Sequence, residues 1–122
     1  MQLAPREWDH LRLHQAGVLA QRRLAMGVRL NMPESCALIS TVTLELIRQG
    51  KSVAELMQLG RGLLGLNQVI PGVEDLVREV QVEGTFPDGT KLVTIHSPIT
   101  KVRGRPQQPR EVVVEHDAAG RR

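Results

Sequence analysis

Aromatic residues are nearly missing from this chain: Trp8 and Phe86 are the only two besides histidine, and there is no tyrosine. Any core must therefore be aliphatic. Cysteine occurs once, as Cys36 inside a helical pattern, which excludes an intrachain disulfide, offers no metal-ligand spacing and fits a reducing compartment. No uninterrupted apolar run approaches a membrane span. The N-terminal residues lack the basic segment, apolar run and small-residue cleavage site of a secretory signal, so the expectation is a soluble, cytoplasmic protein with no membrane partner. Internal repeats are absent. Charge of one sign is also missing from the body: residues 1–100 hold ten basic and ten acidic side chains, and the net charge of +3 lies wholly in residues 101–122. A neutral body lacks the dense basic patch that phosphate tracking needs, so no nucleic-acid partner is expected.

With 122 residues the chain has the length of one ordinary domain. Pro5 suits the first position of a helix and Glu7 its first turn, and the pattern runs to about Met26 before Gly27. Ala4 is a poor cap for it. On a helical wheel Leu13, Gly17, Ala20 and Leu24 form one stripe, and Trp8, Leu11, Val18 and Leu19 form another on the far side. Narrow polar ridges separate them, one being His10, His14 and Gln21. A second helix starts near Asn31-Met32-Pro33-Glu34 and ends before Gly50, with a thin polar line of Glu34, Thr41, Glu45 and Arg48. Its apolar arc, from Cys36 and Leu38 through Ile39, Val42, Leu44, Leu46 and Ile47, passes well beyond a half-turn. A surface helix of a monomer shows one apolar stripe, so both long helices are expected to be covered in part by other subunits. Ser52 and Glu55 make a capping box opening a third helix through Leu64, in which Gly60 and Gly62 weaken helix and favour close packing. Short turns follow at Leu66 to Ile70 and, after Pro71-Gly72, through Val77.

The most legible stretch is Val80 to Ile99, VQVEGTFPDGTKLVTIHSPI. Two strand-like runs flank Pro87-Asp88-Gly89, a strong hairpin signal. The reading places Phe86 opposite Lys91, Gly84 opposite Val93 and Val82 opposite Ile95, with Gln81, Glu83 and Thr85 on the polar face with Leu92, Thr94 and His96. A two-stranded hairpin is marginal alone, so its apolar face needs cover. Residues 100–122, rich in charge with two prolines and two glycines after Ile99, read as a mobile tail in which Val112 to Val114 could add a short strand to an edge.

No constellation amounts to an active site. His10 and His14 stand one helical turn apart, yet Leu11 follows where a zinc protease needs glutamate, and no third ligand is in view. His96 and His116 have no serine, cysteine or carboxylate at a diagnostic offset. Cys36 on its apolar arc reads as a small buried hydrophobe. Gly60-Arg61-Gly62-Leu63-Leu64-Gly65 follows a helix and lacks the Lys-Ser or Lys-Thr of a phosphate loop. Arg22-Arg23 is a short basic pair on a helix surface. The expected catalytic, cofactor-binding and metal-binding residues on this chain are none.

Four blocks carry a resemblance: LAPRE at Leu3 to Glu7, RRLAMGVRLNMPE at Arg22 to Glu34, KSVAELMQLGRGLL at Lys51 to Leu64, and the hairpin block at Val80 to Ile99. In this order they resemble the gamma subunit, the small chain, of bacterial urease. The resemblance covers residues 1–99 and implies a urease gamma-like domain there, with 100–122 as a charged extension. It implies an α+β fold, a small bundle of three longer helices plus short turns followed by a two-stranded antiparallel β-hairpin. It further implies a non-catalytic structural role beside beta and alpha subunits in a trimer of heterotrimers that hydrolyses urea to ammonia and carbamate. The nickel ions and the catalytic residues would belong to the alpha subunit. The family usually has threonine at Ala4, and lysine and alanine are common at Trp8 and Gly84. The alternative reading, a winged-helix nucleic-acid binder with a basic tail, would need a reading helix presenting Arg, Lys, Asn or Gln on one exposed face, whereas the second helix offers Glu34, Thr41, Glu45 and Arg48 and the third only Arg61 and Gln58 against Glu55.

Overall fold

The computed structural model describes residues 1–101, so Val112 to Val114 and His116 lie outside the described residues. Helix α1 spans Pro5–Ala25, α2 Met32–Arg48 and α3 Val53–Leu59. Strand β1 is the pair Leu64–Gly65, α4 is the single turn Val73–Leu76, and β2, β3 and β4 are Glu79–Phe86, Gly89–His96 and Ile99–Thr100. The fold is α+β, with helices first and an antiparallel β2–β3 hairpin after them.

Local sequence sets the ends of the long helices. Glycine follows each at positive φ, Gly27 at 84° and Gly50 at 99°. After α1 the Val28 N–H donates to Arg23 O and the Gly27 N–H to Leu24 O; after α2 the Lys51 N–H donates to Leu46 O and the Gly50 N–H to Ile47 O. These paired bonds close the Schellman motif, which needs the left-handed residue that glycine supplies without a Cβ penalty. At the start of α2 the Asn31 side chain accepts from the Glu34 N–H at 2.9 Å while Glu34 Oε1 accepts from the Asn31 N–H at 2.9 Å, a complete capping box. Ser52 and Glu55 do the same for α3. At α1 only half of this exists: Glu7 Oε1 accepts from the Ala4 N–H at 2.7 Å, and Ala4 offers no side-chain acceptor in return.

Three layers bury α2. It packs on one side against α1 and on the other against β2, while α3 covers β3. Most of the wide apolar arc of α2 is thus covered within the chain, where Leu38, Ile39, Val42 and Ile47 are buried, while Cys36, Leu44 and Leu46 stay half-buried. α2 is a middle layer and α1 an outer one, so the apolar surface left for other subunits is smaller on α2 than its sequence pattern implies. Thr41 also departs from its expected place on a polar line. It is buried at the α1–α2 contact, where its hydroxyl donates to Leu13 O at 3.1 Å.

The hairpin lies apolar face inward. Val80, Val82, Gly84 and Phe86 on β2 and Val93 and Ile95 on β3 are buried, and the intervening β2 residues are exposed. The faces are as the sequence predicts, but the register differs by two residues: Phe86 pairs with Gly89, Gly84 with Lys91, Val82 with Val93 and Val80 with Ile95. The loop consists of Pro87 and Asp88 alone, since Gly89 takes φ 126° and already begins β3. A two-residue shift preserves the side-chain alternation, which has period two, so the buried set is unchanged.

The third helix is shorter than expected. It stops at Leu59, tightens into a 3₁₀ turn over Gly60–Gly62, and then Leu64–Gly65 runs parallel to Ile99–Thr100. Gly60 explains the change. A Cβ built there meets Ile95 Cδ1 at 2.5 Å, so the tight turn brings backbone against the hairpin at a distance only glycine allows. A further bridge ties the α1–α2 connection to the segment after β1: the Leu30 N–H donates to Gln68 O and the Ile70 N–H to Leu30 O.

Candidate subunit interface

Among the described residues, the far stripe of α1 is left exposed. Among the longer elements α1 packs against α2, through Gly17, Ala20 and Gln21, with Leu13 and Leu24 half-buried beside them. On the opposite side Trp8, Leu11 and Leu19 are 49%, 47% and 44% exposed. A shallow depression of about 440 Å³ lies along this side, lined by Trp8, Leu11, Arg12, His14 and Gln15. Of the two stripes on the helical wheel, the glycine- and alanine-bearing one faces inward. A small-residue stripe permits close helix approach, and Gly17 sits so near α2 that a Cβ on it would fall 2.0 Å from Thr41 Oγ1.

Gln21 belongs to this contact and corrects the expectation of a polar ridge. His14 is exposed and His10 half-buried, as a ridge implies, but Gln21 is fully buried. The reason is that α1 closes on the molecule only in its second half: its buried residues are Gly17, Ala20 and Gln21. Both Gln21 Oε1 and Nε2 lack a hydrogen-bond partner among the described residues. An unpaired buried amide costs free energy that an apolar side chain of similar shape does not. Gln21→Met is therefore expected to stabilise the chain by about 1–2 kcal/mol. Equilibrium unfolding in guanidinium chloride checks this, and a lowered midpoint would show that the amide is satisfied in solution.

The basic pair on α1 divides in two. Arg22 is exposed, whereas the Arg23 guanidinium bonds the Glu34 carboxylate and links the end of α1 to the start of α2. The bond from the Asn31 N–H, and after it the Arg23 guanidinium, hold the Glu34 carboxyl below its ordinary value of 4.5 although burial pulls the other way. A depressed folded-state pKa favours the ionised form in the native chain, so this stabilisation is complete above about pH 5 and is lost as pH falls through the folded value. The unfolding midpoint should therefore drop on acidification below about pH 4.5, and Glu34→Gln should flatten that part of the profile at a cost of about 1 kcal/mol at neutral pH. An unchanged acid limb in the variant would remove Glu34 from the acid sensitivity.

The remaining candidates stay apart. His96 Nδ1 lies 3.5 Å from Glu79 Oε1, its cross-strand neighbour, on the exposed hairpin face. Cys36 is half-buried against the core, and burial pushes its thiol up. Among the described residues no three of His, Cys, Asp and Glu come close enough to hold a metal ion. No helix among them is long and apolar enough to cross a membrane. Of the two helices weighed for a nucleic-acid groove, α2 is buried over residues 37–43 and exposes Glu45 and Arg48 at its end, and α3 exposes Glu55 and Gln58, with Arg61 exposed just after it.

Comparison with known families bears on all of this at once, because the chain matches the family described as urease, gamma subunit, over residues 1–99. The chain belongs to the urease gamma subunit family. It is accordingly a subunit of urease, a hydrolase complex of several chains. The matched span holds every helix among the described residues and the whole hairpin. Within this gamma subunit, Trp8 stands on the open stripe and Gly84 under α2, where a Cβ would meet Ile47 Cδ1 at 2.4 Å. The sequence signals for Gln21 and Thr41 were ambiguous, since each is a polar residue beside an apolar stripe. The Arg23–Glu34 pair joins residues eleven apart and had no periodic signal at all.

Proposed function

We propose that residues 1–99 form a non-catalytic structural subunit of a nickel-dependent, cytoplasmic urease, with residues 100–122 as an extension of that unit. In this reading it assembles with beta and alpha subunits as a trimer of heterotrimers. The nickel ions and the catalytic residues belong to the alpha subunit, and this chain contributes no catalytic, cofactor-binding or metal-binding residue. The complex hydrolyses urea to ammonia and carbamate, and carbamate decomposes to a second ammonia and carbonic acid. The observation that carries the proposal is the gamma-subunit match across residues 1–99. The exposed apolar stripe of α1 supports it, because contiguous apolar surface of this kind marks association.

The test is to tag this chain, express it with its neighbouring subunits, and measure both the mass of what co-purifies and its urease activity. A large complex that hydrolyses urea is expected, while the purified chain alone neither hydrolyses urea nor retains nickel stoichiometrically. Recovery of the tagged chain alone, or urea hydrolysis by it without partners, would overturn the proposal.

A further inference from the structure

We infer that the outward face of α1 is the seat of a larger urease subunit, and that the surface it receives there is an apolar groove edged by carboxylates. The inference rests on the urease reading and adds to it the face and the chemistry of the occupant. Single exposed apolar side chains are ordinary: Leu92 stands on the outer hairpin face among Gln81, Glu83 and Thr94. α1 is different, because Trp8, Leu11 and Leu19 recur at helical spacing on one side, and Trp8 and Leu11 line a shallow depression there.

Charge selects the partner. At about 100° per residue, Arg12 and Arg22 lie within about 40° of the line through Trp8, whereas Glu7 and Asp9 lie about 100° to either side. The face from Trp8 to Met26 therefore carries two arginines and no carboxylate. Both arginines are exposed, and among the described residues neither pairs with an acid, whereas Arg23 on the flank is held by Glu34. Apolar side chains rimmed by free guanidinium groups complement an apolar surface rimmed by carboxylates.

A second copy of this chain does not meet that requirement. Two such faces together would gather four guanidinium groups with no carboxylate on either, and like-charge juxtaposition opposes docking. One helix face about 27 Å long also buries well under the roughly 800 Å² per partner of a stable interface, unless the partner is concave and reaches beyond the helix. A larger subunit with a groove satisfies both conditions.

The experiment places a benzoylphenylalanine crosslinker at Gln15, which lines the depression, in the full chain co-expressed with the other urease subunits. Irradiation of the purified complex is expected to join position 15 to a larger subunit, within a peptide containing both apolar and acidic residues. An adduct with a second copy of this chain, or an intact complex that gives no adduct, overturns the inference. Separately, Leu19→Lys or the double reversal R12E/R22E should lower recovered complex by at least about tenfold, as loss of a central anchor does, while Leu92→Lys leaves recovery unchanged. Circular dichroism of the free chains verifies that helix content is retained. If the wild type assembles and the α1 variants assemble equally well, this inference fails and the urease reading stands. A wild-type chain that recovers no larger subunit ends both.

Discussion

Gly17→Ala is expected to destabilise the chain by about 3 kcal/mol, against the usual benefit of alanine in a helix interior. Helix propensity alone predicts the opposite sign, a gain of up to about 1 kcal/mol. The structure decides between them by distance. An added Cβ falls 2.0 Å from Thr41 Oγ1, 2.5 Å from its Cβ and 3.0 Å from its Cγ2. The Cβ of Thr41 is fixed to the α2 backbone, so no side-chain rotation relieves the clash, and α1 must move away from α2. That movement strains the Thr41 bond to Leu13 O and loosens Ala20, which is fully buried in the same contact. Thr41→Ala removes two of the three clashing atoms but leaves the 2.5 Å approach, so G17A/T41A should recover only part of the loss. Unfolding in guanidinium chloride is the measurement, since urea is the expected substrate of the assembled enzyme. A Gly17→Ala chain as stable as wild type would mean that α1 and α2 do not meet at this point.

What the sequence made legible was what lies within a few residues along the chain. The glycines ending α1 and α2, the Ser52–Glu55 box and the alternating faces of the hairpin are signals between positions one to four apart, and each appears in the fold where it was expected. The hairpin register was missed because pattern fixes only which face a residue takes, and the faces are identical for loops differing by two residues. The Leu64–Gly65 pairing with Ile99–Thr100 was missed because two-residue strands have no periodicity. Thr41 and Gln21 were misplaced for a third reason: a polar residue next to an apolar stripe reads as surface until the neighbouring helix is positioned. The candidate interface was half legible. Two apolar stripes on α1 could be read from the wheel, but which one the chain itself would cover depended on Gly17 approaching Thr41, a contact between residues 24 positions apart.

Ile95→Ala is expected to cost about 3–4 kcal/mol, and adding Gly60→Ala should return part of that loss. Ile95 is fully buried on the inner face of β3, so its truncation leaves a cavity between the hairpin and the turn that follows α3. Gly60 borders that space. Its backbone, at φ −60° and ψ −27°, accepts alanine without strain, and the obstacle to a side chain is Ile95 itself, with Cδ1 at 2.5 Å and both Cγ atoms at 2.9 Å. Gly60→Ala alone should therefore overpack the site and destabilise by about 2 kcal/mol. In the double variant the new methyl enters the volume vacated by Ile95, so the combined loss should fall short of the sum by about 1–2 kcal/mol. Strict additivity would separate the two residues and with them the reason for the early end of α3. Both positions are inside the fold and neither borders the outward face of α1. Whatever complex these variants form should consequently keep wild-type composition, and its yield should follow the stability of the chain. A complex of altered composition at unchanged chain stability would instead place the contact with the larger subunits at the hairpin.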